Sequence, residues 1–536
     1  MDVEPVNDKG MRARTIAVAA HPLTVLVVVA VVRIAIALAG LEQLKADPDS
    51  YRHLAETFAR TGVYGRPDPA DGTIYPTAYR PPLYPLLLAC FATDHGVSRF
   101  WIAALHVTLG VGTVAFVLRA GKRLRLGRLA AVAGLLTACD PILLRQSTLV
   151  MTETLAAFLA AGGLVCAVEA IAVVTRPRVQ RKSVFGCDSA WAVVAGAVAG
   201  LAALCRPTFL PWLAGLAAAM FVARWLTRVR DGDRNGAQAR AKMPAVTTAN
   251  LSNKPVARDT DSDTGRNLSR DTGRDASRDT SRDTFKLAVK LAALVLAGGL
   301  AVIAPWVVRN GWQMGRWIAT TTHGGYTLLL GNNPDFYASL AGPSPDGLPW
   351  RLPGDDYLME RCRESLVVGP RAAHDRLRGA AWELAEDELA NRCARRHIAA
   401  DPVAFGRASL YRLGQFWSPL PQATAVGESR MTWAVRHGIA MWYLAVGVFA
   451  AWGLLAWLAA ISRVASPLLR RRVAVPDWTG FRRVWAWSPL VALLLCFSAA
   501  HTFYWSNLRM RGPIMPAVCL LAAAGIRASS LRGRRT

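Results

Sequence analysis

Long apolar runs alternate along the chain with short polar interruptions, most of them basic. A run of 18 or more residues with almost no charge is long enough to cross a bilayer as a helix. Ten runs read this way: 22–40, 99–118, 127–145, 151–174, 189–206, 208–226, 286–307, 433–461, 484–503 and 512–527. The stretch PTAYRPPLYPLLLA at 76–89 is different. Its apolar part, 83–92, is too short to span, and its prolines stop a helix from starting early. It is expected at the membrane edge. Just upstream, ADPDSYRHLAETFARTGVYG at 46–65 places Leu54 and Phe58 at helical spacing and predicts an amphipathic interfacial helix.

The expected fold class is an all-α polytopic membrane protein of ten transmembrane helices, with both termini inside. Interfacial helices lie in the first outer loop, 41–98, within a membrane module spanning 1–228. Residues 229–284 hold the repeat SRDTGRDASRDTSRDT, which has nothing apolar to bury and is expected as a disordered cytoplasmic linker. A further span, 285–307, leads into a small outer domain at 308–432. That domain is mostly helical, with a short strand conceivable in TTTHGGYTLLLGNNPDFY. The remaining helices occupy 433–536.

Composition agrees. Hydrophobic residues make up 53% of the 536 positions and mean hydropathy is +0.24. The net charge of +26 raises the question of nucleic acid. Instead, the basic clusters flank the spans. Arg12 and Arg14, then 119–128, 175–183, 224–230, 466–473 and 527–535 all fall inside when ten spans are threaded alternately. The partner is therefore a membrane, not nucleic acid. The first span lacks a small-residue cleavage site and reads as an anchor, not a cleaved signal. The nine cysteines form no metal-binding spacing. Cys362 and Cys393 fall in the outer domain, where an oxidising compartment permits a disulfide; pairing and two free thiols both stay open.

The candidate chemistry gathers on the outer face. Asp47 and Asp49 follow the first span directly. Either could be a general base, the pair could hold a divalent cation, or one could cap the following helix. Glu153, in MTETLA, is a carboxylate at the mouth of an apolar helix. Such a charge is costly unless it is used, although it also suits a helix N-terminus. Arg80, among prolines at headgroup depth, is placed to meet a lipid phosphate through its planar fork. Arg206, in LCRPT, could reach the same phosphate or simply snorkel. His501, Arg509 and Arg511 lie in the last outer loop, AAHTFYWSNLRMRGPIMP, and call for anionic partners, lipid or protein. Asn332 and Asn333 in GNNP could hydrogen-bond a sugar, or mark a turn; His323 is a weaker candidate.

This ordered set resembles the C-type membrane glycosyltransferases, most closely the branch holding lipid A aminoarabinose transferases and protein O-mannosyltransferases. The resemblance rests on Asp47 with Tyr51, the PTAYRPPLYPLLLA stretch with Tyr79 and Arg80, MTETLA, LCRPT, GNNP and RMRGPIMP. It implies an enzyme of the cell membrane. Such an enzyme would take one sugar from a polyprenyl-phosphate donor and pass it to an envelope lipid, glycan or protein outside the cytoplasm. Asp47 would be the base, Glu153 the second acidic position, and Arg80 and Arg206 the stabilisers of the leaving phosphate. Asp49 makes the loop DxD-like and leaves the choice of base open. No cofactor is required beyond a possible divalent cation at Asp47 and Asp49. The alternative is a transporter of polyprenyl-linked sugars without transfer chemistry.

Overall fold

The structure is a computed structural model and describes residues 21–68, 70–175, 187–241, 262–340, 355–366, 377–423, 427–469 and 478–532. Arg12, Arg14, residues 242–261 of the linker, most of the 175–183 cluster and part of 466–473 lie outside the described residues.

The architecture is mostly helical. Among the described residues, eight helical segments are long and apolar enough to cross a membrane: Pro22–Ala39, Arg99–Arg123, Glu153–Val174, Pro207–Leu226, Phe285–Met314, Arg430–Arg463, Gly480–Phe503 and Leu508–Ser530. Burial follows sequence pattern. On Pro22–Ala39 the buried positions are Val25, Val29, Arg33 and Ala37, one face at i, i+4 spacing. Leu23, Val27, Val31, Ile34 and Leu38 stay exposed, as side chains meant for lipid do. Arg33 is the exception on the inner face. It is buried and donates to the Leu143 carbonyl at 3.1 Å. A charge in mid-span is tolerated only when it points into the bundle and finds such an acceptor.

Two expected spans differ. The run 127–145 is broken into Leu129–Ala138 and Pro141–Gln146. Pro141 cannot extend the first helix, and Asp140 caps the second by accepting from Leu143 N at 3.0 Å. The run 189–206 becomes an apolar segment at Ser189–Cys205, shorter than the eight. That segment belongs to the Cys187–Cys205 helix, which crosses the Ser262–Met314 helix closely. At Gly200, an added Cβ would come within 2.6 Å of the Gly299 carbonyl oxygen. Small residues at such crossings let backbones approach in the absence of a hydrophobic drive.

The linker differs as well. Its described ends are helical, the chain running to Ala241 in one helix and resuming at Ser262 in another.

The first loop is not purely helical. Tyr51–Thr61 and Leu83–Ala89 are helices, as the apolar spacing indicates, but two small antiparallel hairpins intervene: Gly65–Pro67 with Ile74–Pro76, and Ala92–Thr93 with Gly96–Val97. In the expected outer domain the possible strand is replaced by helices Gly324–Leu330 and Pro334–Ser339. These are followed by Asp355–Leu366, Gly379–Ala400 and Pro402–Trp417. Asp401 caps the last of them, accepting from Ala404 N at 2.8 Å. Cys362 and Cys393 are joined as a disulfide, in a small core with Leu329, Leu358 and Leu389.

Candidate active site

The loop carrying Arg80 is strapped to the second helical region. Glu383, on Gly379–Ala400, is buried and accepts from Ala78 N at 3.0 Å, from the Thr322 hydroxyl at 2.6 Å and from the Thr77 hydroxyl. Thr322 N donates to the Ala78 carbonyl at 2.9 Å, and the Thr321 hydroxyl to the Tyr79 carbonyl at 2.5 Å. Arg309 closes the other side, donating to the carbonyls of Thr77 at 2.8 Å and Tyr64 at 2.5 Å. A proline-rich loop has few backbone donors of its own, so these side chains fix it instead.

Arg80 is held inside that frame. Its Nη2 donates to Asp49 Oδ1 at 2.7 Å and its Nε to the Asp49 carbonyl at 3.1 Å. Nη1 has no hydrogen-bond partner among the described residues. The guanidinium lies over the Tyr79 ring at 4.6 Å and over Tyr51 at 5.7 Å. Burial works against its charge, but Tyr51, Tyr79 and Asp49 more than offset this and the arginine stays firmly protonated. Arg66 stacks on the other contact of Tyr79, at 4.4 Å, and His323 meets the same ring edge-on at 4.8 Å.

Asp47 and Asp49 divide the tasks that their spacing left open. Ser50 adopts φ 61°, a left-handed conformation that costs a non-glycine residue about 1–2 kcal/mol. The chain therefore turns sharply before Tyr51–Thr61. Asp47 caps that helix, with Oδ2 accepting from His53 N at 3.0 Å. Its Oδ1 is buried and accepts no hydrogen bond among the described residues. Asp49 is committed to Arg80. The two carboxylates thus do not fit a cation cage as arranged, and among the described residues no group of three or more His, Cys, Asp or Glu side chains could hold a metal ion.

Glu153 is fully buried. It pairs with Arg206 at 2.9 Å and Arg509 at 3.2 Å. Arg206 also donates to the Thr152 hydroxyl at 3.1 Å. The Leu508–Ile514 turn lies beside this carboxylate: a Cβ at Gly512 would be in ordinary contact with Glu153 Cγ at 3.7 Å, and would crowd Ile142 at 3.2 Å. Tyr51 links the two clusters. Its buried hydroxyl is pushed up to about 12, first by desolvation, and it feels Arg80, Asp49, Arg206 and Glu153 together. Edge-on at 5.5 Å, Tyr84 carries the contact on to His106 at 2.8 Å.

Other candidates serve the frame. Asn332 and Asn333 are buried. Asn332 Nδ2 donates to the carbonyls of Leu328 at 2.7 Å and Phe503 at 2.9 Å. Asn333 caps Pro334–Ser339, accepting from Phe336 N at 2.8 Å. GNNP here forms a turn and a cap, its amide nitrogens donating to backbone carbonyls. Arg511 is buried and holds the carbonyls of Phe416 and Ser418, each at 3.2 Å. His501 is buried and stacks on Phe416 at 4.7 Å. Arg66, Arg309 and Glu383 were missed in the sequence reading. Arg309 had a signal, a charge directly closing an apolar span; Glu383 had none beyond its place on a helix.

Fold and site together define a multi-pass membrane protein with a charged, largely buried cluster at one end of its helices. No family model and no curated protein matches the chain. Among solved structures, the chain is similar to the Archaeoglobus fulgidus oligosaccharyltransferase in complex with zinc and sulfate, at 14% identity and TM-score 0.43, covering 95% of this chain and 50% of that one. It is similar to the same organism's AglB with an inhibitory peptide and a dolichol-phosphate, at 15% identity and TM-score 0.42, covering 96% and 51%. ArnT from Cupriavidus metallidurans bound to undecaprenyl phosphate gives 13% identity and TM-score 0.31, covering 94% and 78%. The chain spans about half the length of the archaeal enzyme. These are likenesses of architecture; the chemistry rests on the residues themselves.

Proposed function

We propose that the protein is a membrane glycosyltransferase that moves a single sugar from a polyprenyl-phosphate donor to an acceptor outside the cytoplasm. One observation carries this reading. Two residues from Asp47, whose Oδ1 has no described hydrogen-bond partner, Asp49 holds Arg80 with one donor left to spare. An acceptor needs a base, and a phosphate leaving group needs a fixed cation.

In this reading Asp47 takes the proton of the acceptor hydroxyl or amine. The freed lone pair attacks the anomeric carbon. The bond from that carbon to the phosphate oxygen breaks, and its electrons stay on the phosphate. Arg80 Nη1, with Arg206 and Arg509 behind it, stabilises the charge that develops there. The departing phosphate is already ionised and needs no general acid. A single displacement inverts the anomeric centre. Glu153 balances Arg206 and Arg509 in the free enzyme, so that both guanidiniums stay oriented. Tyr51 and Tyr79 face Arg80 and shape the pocket for the sugar phosphate. No step is routed through a metal.

Liposomes containing the purified protein, a panel of polyprenyl-phosphate sugars and an envelope extract test the class of reaction. Release of free polyprenyl phosphate matched by glycosylated acceptor supports transfer. Sugar-lipid crossing the bilayer intact, with none released, makes the protein a transporter.

A further inference from the structure

A second charged site lies at the other end of the bundle. Glu153 opens the Glu153–Val174 helix, and Glu169 is 16 residues further on, about 24 Å away along the axis. Around Glu169 is a cavity of about 490 Å³. Six cations line it: Arg119, Lys122, Arg123, Arg125, Arg482 and Arg483. Glu169 is the single carboxylate in its wall. It is occupied by Arg123 at 2.5 Å and lies 3.8 Å from Arg119. Arg482 is also fixed, donating to the Ala172 carbonyl at 3.2 Å. Lys122 and Arg483 are exposed and enter no ion pair or side-chain hydrogen bond given for the described residues. Gathering so many like charges is unfavourable without an anion to share. The rest of the wall is apolar: Leu124, Val168, Ala172 and Ala486. By the positions of the basic clusters, this end faces the cytoplasm.

We propose that this cavity binds a phosphate-bearing anion, and that its apolar wall selects one carried on an acidic phospholipid. Basic pockets between helices on the cytoplasmic side suit such headgroups, which offer a phosphate to the cations and acyl chains to the wall. The site is separate from the proposed transfer chemistry, and its test does not depend on that reading. The bound lipid would tie together the ends of Arg99–Arg123, Glu153–Val174 and Trp478–Trp485.

The full chain, purified in mixed micelles of equimolar phosphatidylglycerol and phosphatidylcholine, is examined by native mass spectrometry. Wild type is compared with the K122Q/R483Q double variant, the charge-keeping K122R/R483K, and R463Q on another helix. Both substituted side chains are exposed, so folding is little perturbed, and R483Q alone provides a milder form. The expected result is preferential retention of phosphatidylglycerol, reduced roughly thirtyfold in K122Q/R483Q and kept in the other two. Millimolar inorganic phosphate is expected to leave it in place. Displacement by inorganic phosphate with no lipid preference would keep phosphate recognition and overturn the lipid assignment. Equal retention of both lipids without phosphate binding, or equal losses in R463Q, would overturn the site altogether.

Discussion

Glu153 and Arg206 form an ion pair at 2.9 Å across 53 positions of sequence, with the carboxylate fully out of solvent. Arg509 completes the arrangement from the far end of the chain. Breaking a buried pair by removing one partner leaves the other charge uncompensated, which costs about 3–5 kcal/mol. Glu153→Gln is therefore expected to lower thermal stability sharply. Adding Arg206→Gln to it is expected to restore part of the loss. Thermal unfolding of the two single variants and the double variant, read as a cycle, checks this. Simple additivity would mean that the pair contributes no coupling.

Arg80 is oriented by Asp49, and that assignment separates the two aspartates kinetically. Asp49→Asn weakens the hold on the guanidinium and is expected mainly to raise KM for the donor, with kcat reduced less. Steady-state kinetics at varied donor concentration reads the split. A fall in kcat at unchanged KM would instead make Asp49 the base.

The Cys362–Cys393 disulfide closes a loop with sequence separation 31, for which chain entropy predicts about 3–4 kcal/mol of stabilisation. Neither thiol is expected to react with a maleimide until reductant is added, after which both should. The Cys362→Ser/Cys393→Ser pair is expected to unfold at lower temperature. Labelling of both cysteines without reductant would remove the bridge from the account.

His323 gives a pH signature. Burial, reinforced by Arg80 and Arg66, depresses its folded value to about 3, below the ordinary 6.5. A depressed histidine binds its proton more readily in the unfolded chain. Its contribution is thus fully present above pH 6.5 and is lost progressively as pH falls toward 3. His323→Phe is expected to flatten that part of the acid limb while leaving stability near pH 8 little changed. Parallel acid limbs for the two proteins would contradict the assignment.

Much of the fold was legible because hydrophobic length is a strong signal in a membrane protein. The eight segments long and apolar enough to cross a membrane coincide with apolar runs in the sequence. The break at Asp140–Pro141 was also written there, but the surrounding apolar run masked it. Position was readable for Asp47, Glu153, Arg80 and Arg206, each at the end of an apolar element. Pairing was not. Arg206 read as a phosphate ligand or a snorkelling side chain, and Arg509 as a partner of lipid or protein anions; Glu153, the carboxylate both arginines meet, comes from another part of the chain. Asn332 and Asn333 read as sugar ligands or as a turn; in the fold both are buried and their amides donate to backbone carbonyls. Glu383 was invisible as a site-shaping residue because its acceptors are spent on Thr77, Ala78 and Thr322, brought close only by tertiary packing.

The most direct test of the central claim is single-turnover release of polyprenyl phosphate by Asp47→Asn. With Asp49→Asn and wild type alongside, all three are first matched for folding and donor binding. The account predicts that Asp47→Asn binds donor normally and releases phosphate 10²–10⁴-fold more slowly, the usual worth of a general base. Release at the wild-type rate from a properly folded Asp47→Asn would contradict it.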